Sequence, residues 1–355
     1  MPRWPPVTGA SILMVCALGA AHTTPSAAMI PRAGVLTVVT EEDEYLRALT
    51  RFATQLRRTT PRVHLHVVAT NASILEERFT QHVGPSNSTN FSWSTETSHD
   101  RTLDEDVVRI LNMIKERPVR EEVRGRLRYR LMKLHHVARS PYAHTIFLDW
   151  DVLPCTSVVP LLAALDGGQF DLAVTPTFME AGKRVAHADD NPYIRVFTMG
   201  TENVFTDTFI NGGMLVYNSH SPAHQALLQW EAAFLAFVED AVRQGRFSTI
   251  KDKRALLLTN DQPVLRHLLK ASTGLRLGLI DGRWNQRVFK CIYPNGTVDN
   301  YKPVGVQVEE LRAMAGRGCW LSTPFLYHGH GSLSRHSGFE RIICGGEFSL
   351  KAAGL

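Results

Sequence analysis

His144-Thr145-Ile146-Phe147-Leu148-Asp149-Trp150-Asp151-Val152-Leu153-Pro154 decides how this chain folds. β-Branched and apolar residues run into two carboxylates separated by one residue, and a proline follows, so the stretch reads as a buried strand that stops at its acidic end. Asp149 and Asp151 repel each other unless a cation lies between them. At the carboxyl end of a strand in an α/β sheet, the cation that suits two oxygen ligands is a divalent metal holding a phosphorylated ligand. The alternative is a solvated turn carrying two surface aspartates.

Upstream, Val35-Leu36-Thr37-Val38-Val39-Thr40 is β-branched and bounded by Gly34, a strand. Tyr45, Leu46, Leu49, Phe52, Ala53 and Leu56 keep helical spacing, and Val63 to Val68 is a second strand. This β-α-β opening predicts a parallel sheet. Neither a Gly-x-Gly-x-x-Gly fingerprint nor a phosphate-binding Walker loop follows the first strand. Residues 83–99, rich in Ser, Thr and Asn, are expected to form an exposed inserted loop. Helical spacing returns at Leu103, Val107, Ile110, Leu111 and Ile114. The basic segment Arg120 to Arg139 follows, with an apolar stripe at Leu127, Leu131 and Leu134. Most of its charge reads as a solvated face. Lys133 is the exception, because a helix just before the acidic strand can carry a cation to a diphosphate bound there.

Downstream, Val158 to Leu165 is a short helix and Phe170 to Val174 a strand. Residues 181–207 form an irregular polar stretch of binding-loop length. Thr208 to Asn218 is a strand interrupted by Gly212 and Gly213, which reads as a bulge at a sheet edge or as a place where a ligand comes close. A core helix spans Ser221 to about Arg243. Thr259 or Asn260 is expected to cap the next helix, with Asp261 in its first turn. Leu275 to Ile280 is a strand and Arg283-Trp284-Asn285 a turn. Pro324 to Gly331 is a short strand closing on His328 and His330 among glycines, where either imidazole is a candidate metal ligand.

The 355 residues are 44% apolar and 21% charged, ordinary for a folded chain with a substantial core. Length alone allows two domains or one large α/β domain. The net charge of +5 is spread among acids along most of the chain, so no nucleic-acid footprint is read and an anionic small ligand is compatible. Arg3, the apolar run Ala10 to Leu18 and the small residues Gly19, Ala20 and Ala21 follow the order of a secretory leader, either cleaved or retained as a membrane anchor. Asn71, Asn87, Asn90 and Asn295 each open an N-glycosylation sequon, in keeping with that route. If Cys16 leaves with the leader, Cys155, Cys291, Cys319 and Cys344 remain. Their spacing is no zinc pattern, and a pair Cys319 with Cys344 or Cys291 with Cys319 is expected. The domain boundaries expected are 1–30 for the leader, 31–345 for one catalytic domain (31–160 nucleotide-binding, 161–345 acceptor-side) and 346–355 for a tail.

Met132-Lys133-Leu134-His135 leading into Thr145 to Asp151, then Phe209-Ile210-Asn211-Gly212-Gly213, then Asn260-Asp261-Gln262, then His328-Gly329-His330-Gly331 resemble, in order, the motifs of the GT-A glycosyltransferases of the glycogenin and bacterial galactosyltransferase type. The resemblance runs from about Val35 to Gly331. It implies an α/β fold of GT-A type, with a Rossmann-like, mostly parallel central sheet flanked by helices and a smaller acceptor-side region. It implies transfer of a hexosyl or pentosyl group, with retention, from a nucleotide-sugar, UDP-linked by expectation, to a glycan or glycoprotein in the ER or Golgi lumen, or outside the cell. Asp149, Asp151 and His328 match ligands of Mn2+ (or Mg2+). Trp150, Gly331 and Lys133 match donor-binding positions, and Val39, Thr40 and Tyr45 match nucleoside contacts. Asn211 matches the Asn near the donor sugar, and Asp261 and Gln262 the pair beside its anomeric carbon. The chain departs from the family after the histidine, where Ser334-Arg335-His336 stands in place of a lysine followed by Pro-Trp, with Arg335 one position late.

The residue types suit such chemistry. Cleaving an anomeric carbon–phosphate bond develops charge on the departing phosphate, which a divalent cation neutralises as a Lewis acid, and Lys133 adds to that field. Two other readings fit parts of the pattern. A haloacid-dehalogenase-like phosphatase also places Asp-x-Asp after an apolar strand, but Val152-Leu153 replaces its Gly-Thr. A catalytically inactive sugar-nucleotide or carbohydrate-binding protein fits the departure near Arg335.

Overall fold

The structure, a computed structural model, describes residues 32–40, 42–88, 91–98, 101–176, 194–198, 210–245, 260–272, 274–280, 284, 289–292, 295, 298–301, 320–321, 326–328 and 344. For 87–88, 176, 194–198, 270, 289–292, 298–301, 320–321 and 327–328 it gives the course of the backbone. The leader, Gly331, Arg335 and most of 181–207 lie outside the described residues.

β1 (Ala33–Val39) shows why the sheet is central. Its side chains alternate, Val35 and Val39 entering one apolar cluster and Leu36 and Val38 the other, so the strand is buried on both faces. α1 (Asp43–Thr59) returns the chain to β2 (His64–Ala69), which pairs with β1 in parallel. α2 (Ala72–His82) begins at Asn71, whose side chain accepts from the Ser73 and Ile74 amides. β3 (Asn87–Ser88) and β4 (Phe91–Thr97) come next, then α3 (Arg101–Met113), α4 (Arg117–Ala138) and β5 (His144–Leu148). Beyond the acidic pair come β6 (Val152–Pro154), α5 (Val159–Asp166), β7 (Leu172–Pro176), β8 (Ile194–Thr198), β9 (Ile210–Asn218) and α6 (Pro222–Arg243). α7 (Gln262–Ala271) leads to β10 (Arg276–Ile280), and β11 (Phe289–Ile292), β12 (Val298–Tyr301), β13 (Trp320–Leu321) and β14 (Leu326–His328) complete the described strands.

The main sheet has the order β3-β4-β2-β1-β5-β9-β7-β10-β8. β1, β2, β4, β5, β7 and β10 run one way and β3, β8 and β9 the other, so the expected mostly parallel sheet is observed. α1, α2 and α5 cover one face, and α3, α4, α6 and α7 the other. A three-stranded antiparallel sheet, β12-β11-β13, and the pair β14-β6 stand apart from it.

Several expectations need correction. Residues 83–99 hold two sheet strands, with Phe91 and Trp93 buried and the Trp93 ring edge-on to Phe79 at 5.3 Å. Alternating Phe91 and Trp93 outweigh the Ser and Thr between them. Within 181–207, Ile194–Thr198 is a strand antiparallel to β10. The Gly212-Gly213 strand is no edge, since β9 lies between β5 and β7, although a register shift falls opposite it at Val174/Thr175. The cysteine expectation that used Cys344 also fails, because Cys344 is bonded to Cys155, 189 residues away. Sequence spacing gave no sign that the segment after β14 returns to the end of β6. Cys319 lies outside the described residues.

Candidate active site

Asp149 follows the last residue of β5, and its amide donates to the Gly213 carbonyl of β9 at 2.8 Å. The Val152 amide then donates to the Asp149 carbonyl at 3.1 Å, a tight turn that sets Asp149, Trp150 and Asp151 on the strand's carboxyl end. Asp149 and Asp151 are 8% and 7% exposed, so the solvated-turn alternative does not describe them. Trp150 turns into the core and stacks on Tyr45 at 4.2 Å, the tilted pair joining the acidic turn to the first turn of α1. Val39 is buried at the end of β1, in the same apolar cluster as Trp150, and Thr40 is buried just past it.

The strand that carries His328 comes to this place. β14 pairs antiparallel with β6 in the register Leu326 to Pro154, Tyr327 to Leu153 and His328 to Val152, so the His328 backbone lies opposite the residue after Asp151. Cys155 is the residue after Pro154, and its disulfide to Cys344 fastens the chain beyond β14 to the same short strand. Among the described residues no group of three or more His, Cys, Asp and Glu side chains is near enough to hold a metal ion, and the His328 side chain is not among those described.

Behind the carboxylates is a buried chain of alternating charge. Lys133, 0% exposed, points its Nζ at Asp149 Oδ1 (3.2 Å) and at Asp261 Oδ2 (3.3 Å). Arg130, one turn earlier on α4, sets a guanidinium nitrogen 3.1 Å from Asp261 Oδ1. The Tyr129 hydroxyl donates to Asp149 Oδ1 at 3.2 Å. Lys133 also lies 5.1 Å from the Phe147 ring centroid and 6.0 Å from that of Trp230, aromatic faces that offset part of its desolvation. Burial pushes the Asp261 carboxyl up, but Arg130 and Lys133 outweigh it and hold it below the usual carboxylate range. Burial pushes the Arg130 guanidinium down, and Asp261 first, then Tyr129, Asp149 and Asp151, raise it above its ordinary value. Burial first, then Asp149, raises the Tyr129 phenol well above its ordinary value.

Asp261 is the residue that precedes α7 rather than a member of its first turn, and its carboxylate makes no capping hydrogen bond. Asn260 Oδ1 caps the helix instead, accepting from the Gln262 amide at 3.1 Å. The Gln262 side-chain amide donates to Asn211 Oδ1 at 3.2 Å, and the same oxygen accepts from the Gly213 amide at 2.8 Å. Trp230 of α6 donates its indole N–H to the Asp261 carbonyl at 3.0 Å. These contacts explain Gly212: a Cβ there would meet Asp261 Oδ2 and the Trp230 ring at 3.4 Å each. Gly212 thus marks a close approach by protein groups within the sheet.

Of the residues expected from sequence, Val39, Thr40, Tyr45, Lys133, Asp149, Trp150, Asp151, Asn211, Asp261 and Gln262 converge at the carboxyl end of β5, and the backbone of His328 joins them. Arg130 and Tyr129 were missed. Their signal was positional, three and four residues before Lys133 on one helical face. Oxygen donors of this kind suit a hard divalent ion: among the described residues the side-chain contacts of Asp149 fall on Oδ1, which leaves Oδ2 for such an ion.

No protein-family model and no curated protein matches the chain. Among solved structures it is similar to mouse xyloside xylosyltransferase 1 in its apo form, with 11% identity, TM-score 0.43, and coverage of 83% of this chain and 97% of that one. It is similar to the galactosyltransferase LgtC in complex with donor and acceptor sugar analogues, with 14% identity, TM-score 0.40, and coverage of 83% and 86%. The bifunctional glycosyltransferase WbbM, apo, matches with 11% identity, TM-score 0.41, and coverage of 85% of this chain and 46% of that one. Likeness at this level transfers no activity and no site residue to this chain.

Proposed function

We propose that the protein is a metal-dependent glycosyltransferase of GT-A type that moves a sugar from a nucleotide-sugar, a UDP-sugar by preference, to a glycan or glycoprotein acceptor. The observation that carries this reading is the convergence on one strand end of the Asp149-Trp150-Asp151 turn and the strand bearing His328, with Lys133 buried directly behind. Asp149, Asp151 and His328 would hold Mn2+ or Mg2+, and the ion supplies Lewis-acid neutralisation of the departing diphosphate when bound. Lys133 adds a cation that cannot leave, since it is enclosed by two carboxylates and two aromatic rings. Tyr45, partly buried and backed by the core ring of Trp150, offers an aromatic face for the nucleoside beside Val39 and Thr40.

Retention of configuration fits the state of Asp261. Its two oxygens face Arg130 and Lys133 and it is fully buried, so it offers no carboxylate for a lasting covalent bond to the sugar. Gln262 and Asn211, joined by their side chains, are the polar groups that would steady the oxocarbenium-like centre. The leader and the sequons support action in the secretory lumen, with the amino-terminal segment either cleaved or kept as an anchor. Incubation with a panel of UDP- and GDP-sugars and Mn2+, followed by nucleoside diphosphate release, tests the reading. Metal-dependent release is expected; release of inorganic phosphate would indicate a phosphatase, and donor binding without turnover an inactive binding protein.

A further inference from the structure

Asp261 has no exposed surface through which to act on a ligand in this structure, so its influence on the site passes through the groups it holds. One is Lys133, which it shares with Asp149. The other is Arg130, among the described residues the cation on the far oxygen, and 27% exposed. Among the described residues Trp230 and Gly212 also pack against Asp261 and bring no charge, and the neutral Tyr129 phenol lies within electrostatic reach. With Arg130, Lys133, Asp149 and Asp261 present the chain of ion pairs alternates in sign and sums to zero.

We propose that Arg130 is a positioning residue for the metal and donor site, acting through Asp261 to fix how Lys133 is divided between Asp261 and Asp149. The inference rests on the glycosyltransferase reading above. Without Arg130, a fully buried Asp261 keeps one cation instead of two. Burial then favours its protonated form, and Lys133, released from Asp261, swings wholly onto Asp149 and competes there with a divalent ion. With Arg130 in place Asp261 stays ionised, holds Lys133 back and keeps Asp149 available. The guanidinium does not touch the ion and is not a catalytic residue.

The test uses the full folded chain and two variants, Arg130→Gln and Arg130→Lys, with Mn2+ titrated by calorimetry from pH 5.5 to 8.5. Arg130→Gln is expected to weaken Mn2+ binding on the order of tenfold at the acid end and to recover as pH rises and Asp261 ionises, while Arg130→Lys stays within about threefold of wild type throughout. With a turned-over donor, Arg130→Gln should lower kcat by on the order of ten- to a hundredfold, with the KM for donor moving less. Thermal denaturation of all three forms separates this from lost folding, because a purely structural role gives a pH-independent loss in proportion to the folded fraction. Wild-type and Arg130→Gln chains that bind Mn2+ alike at every pH overturn the inference alone. A wild-type chain that takes up no Mn2+ overturns the reading of the site and this inference with it.

Discussion

Two buried aspartates, one just before strand β7 and one just before helix α7, do different work. Asp171, just before β7, receives the Arg276 backbone amide at 2.9 Å and the Arg276 guanidinium at 2.7 Å, all from one partner whose side chain reaches solvent. Its own backbone joins β7 to β10 and to the end of β9. Among the described residues Asp261 meets two cations, both from a single helix, and shares one of them with Asp149. A carboxylate answered fully by one partner closes a sheet. A carboxylate whose partner is also needed elsewhere couples two places, and the second place here is the acidic turn.

The largest effect that would sharpen this contrast falls on the acidic turn itself. Asp149→Asn or Asp151→Asn should reduce metal-dependent nucleoside diphosphate release by on the order of a thousandfold, several kcal/mol of lost charge stabilisation, while Asp171→Asn leaves the rate per folded molecule unchanged. Next come the two aspartates as structural members. Asp261→Asn leaves Arg130 and Lys133 short of a carboxylate inside the protein and should cost about 3 to 5 kcal/mol in denaturant unfolding, with turnover falling as well. Asp171→Asn should cost only about 1 kcal/mol, because solvent reaches Arg276 and compensates it. Equal costs would break the comparison.

The Cys155–Cys344 disulfide belongs to the first region, since it fastens the chain beyond His328 to the strand beyond Asp151. Replacing both cysteines by Ser should lower stability by about 2 to 4 kcal/mol and weaken Mn2+ binding together. Stability lost with metal affinity intact would make the bond a general brace.

The smallest effects are in pH. Asp261 and Asp171 are both held below their ordinary values, so both contribute stability that is present above about pH 4 and lost as pH falls through their folded values. His64 behaves otherwise. Burial first, then His66, depress it from 6.5 to about 4, so the folded state keeps it neutral while the unfolded chain takes up a proton. Stability should therefore decline as pH falls from about 6.5 towards 4, and His64→Gln should flatten that part of the profile, read by urea unfolding at successive pH values.

Much of this was legible in the sequence, for identifiable reasons. β1 and β5 are apolar on both faces and could be nothing but interior strands, and Asp149-x-Asp151 announced itself by placing charge where such a strand ends. Lys133 was legible because α4 leads directly into β5. Arg130 was not, since it stands among Arg124, Arg126 and Arg128 and composition cannot say which arginine meets a buried carboxylate 131 residues away. β4 was hidden by Ser and Thr whose density imitates a loop, although Phe91 and Trp93 alternate as a strand should. Pairing of Cys155 with Cys344 depends on a return of the chain that leaves no local pattern.

Anomalous diffraction from crystals of the protein grown with Mn2+ and UDP addresses the account at its root. It predicts one strong peak within coordination distance of the carboxylates of Asp149 and Asp151 and of the His328 imidazole, with the diphosphate on its open side. A peak that excludes either aspartate, or His328 turned away from an ion held by other residues, would contradict it.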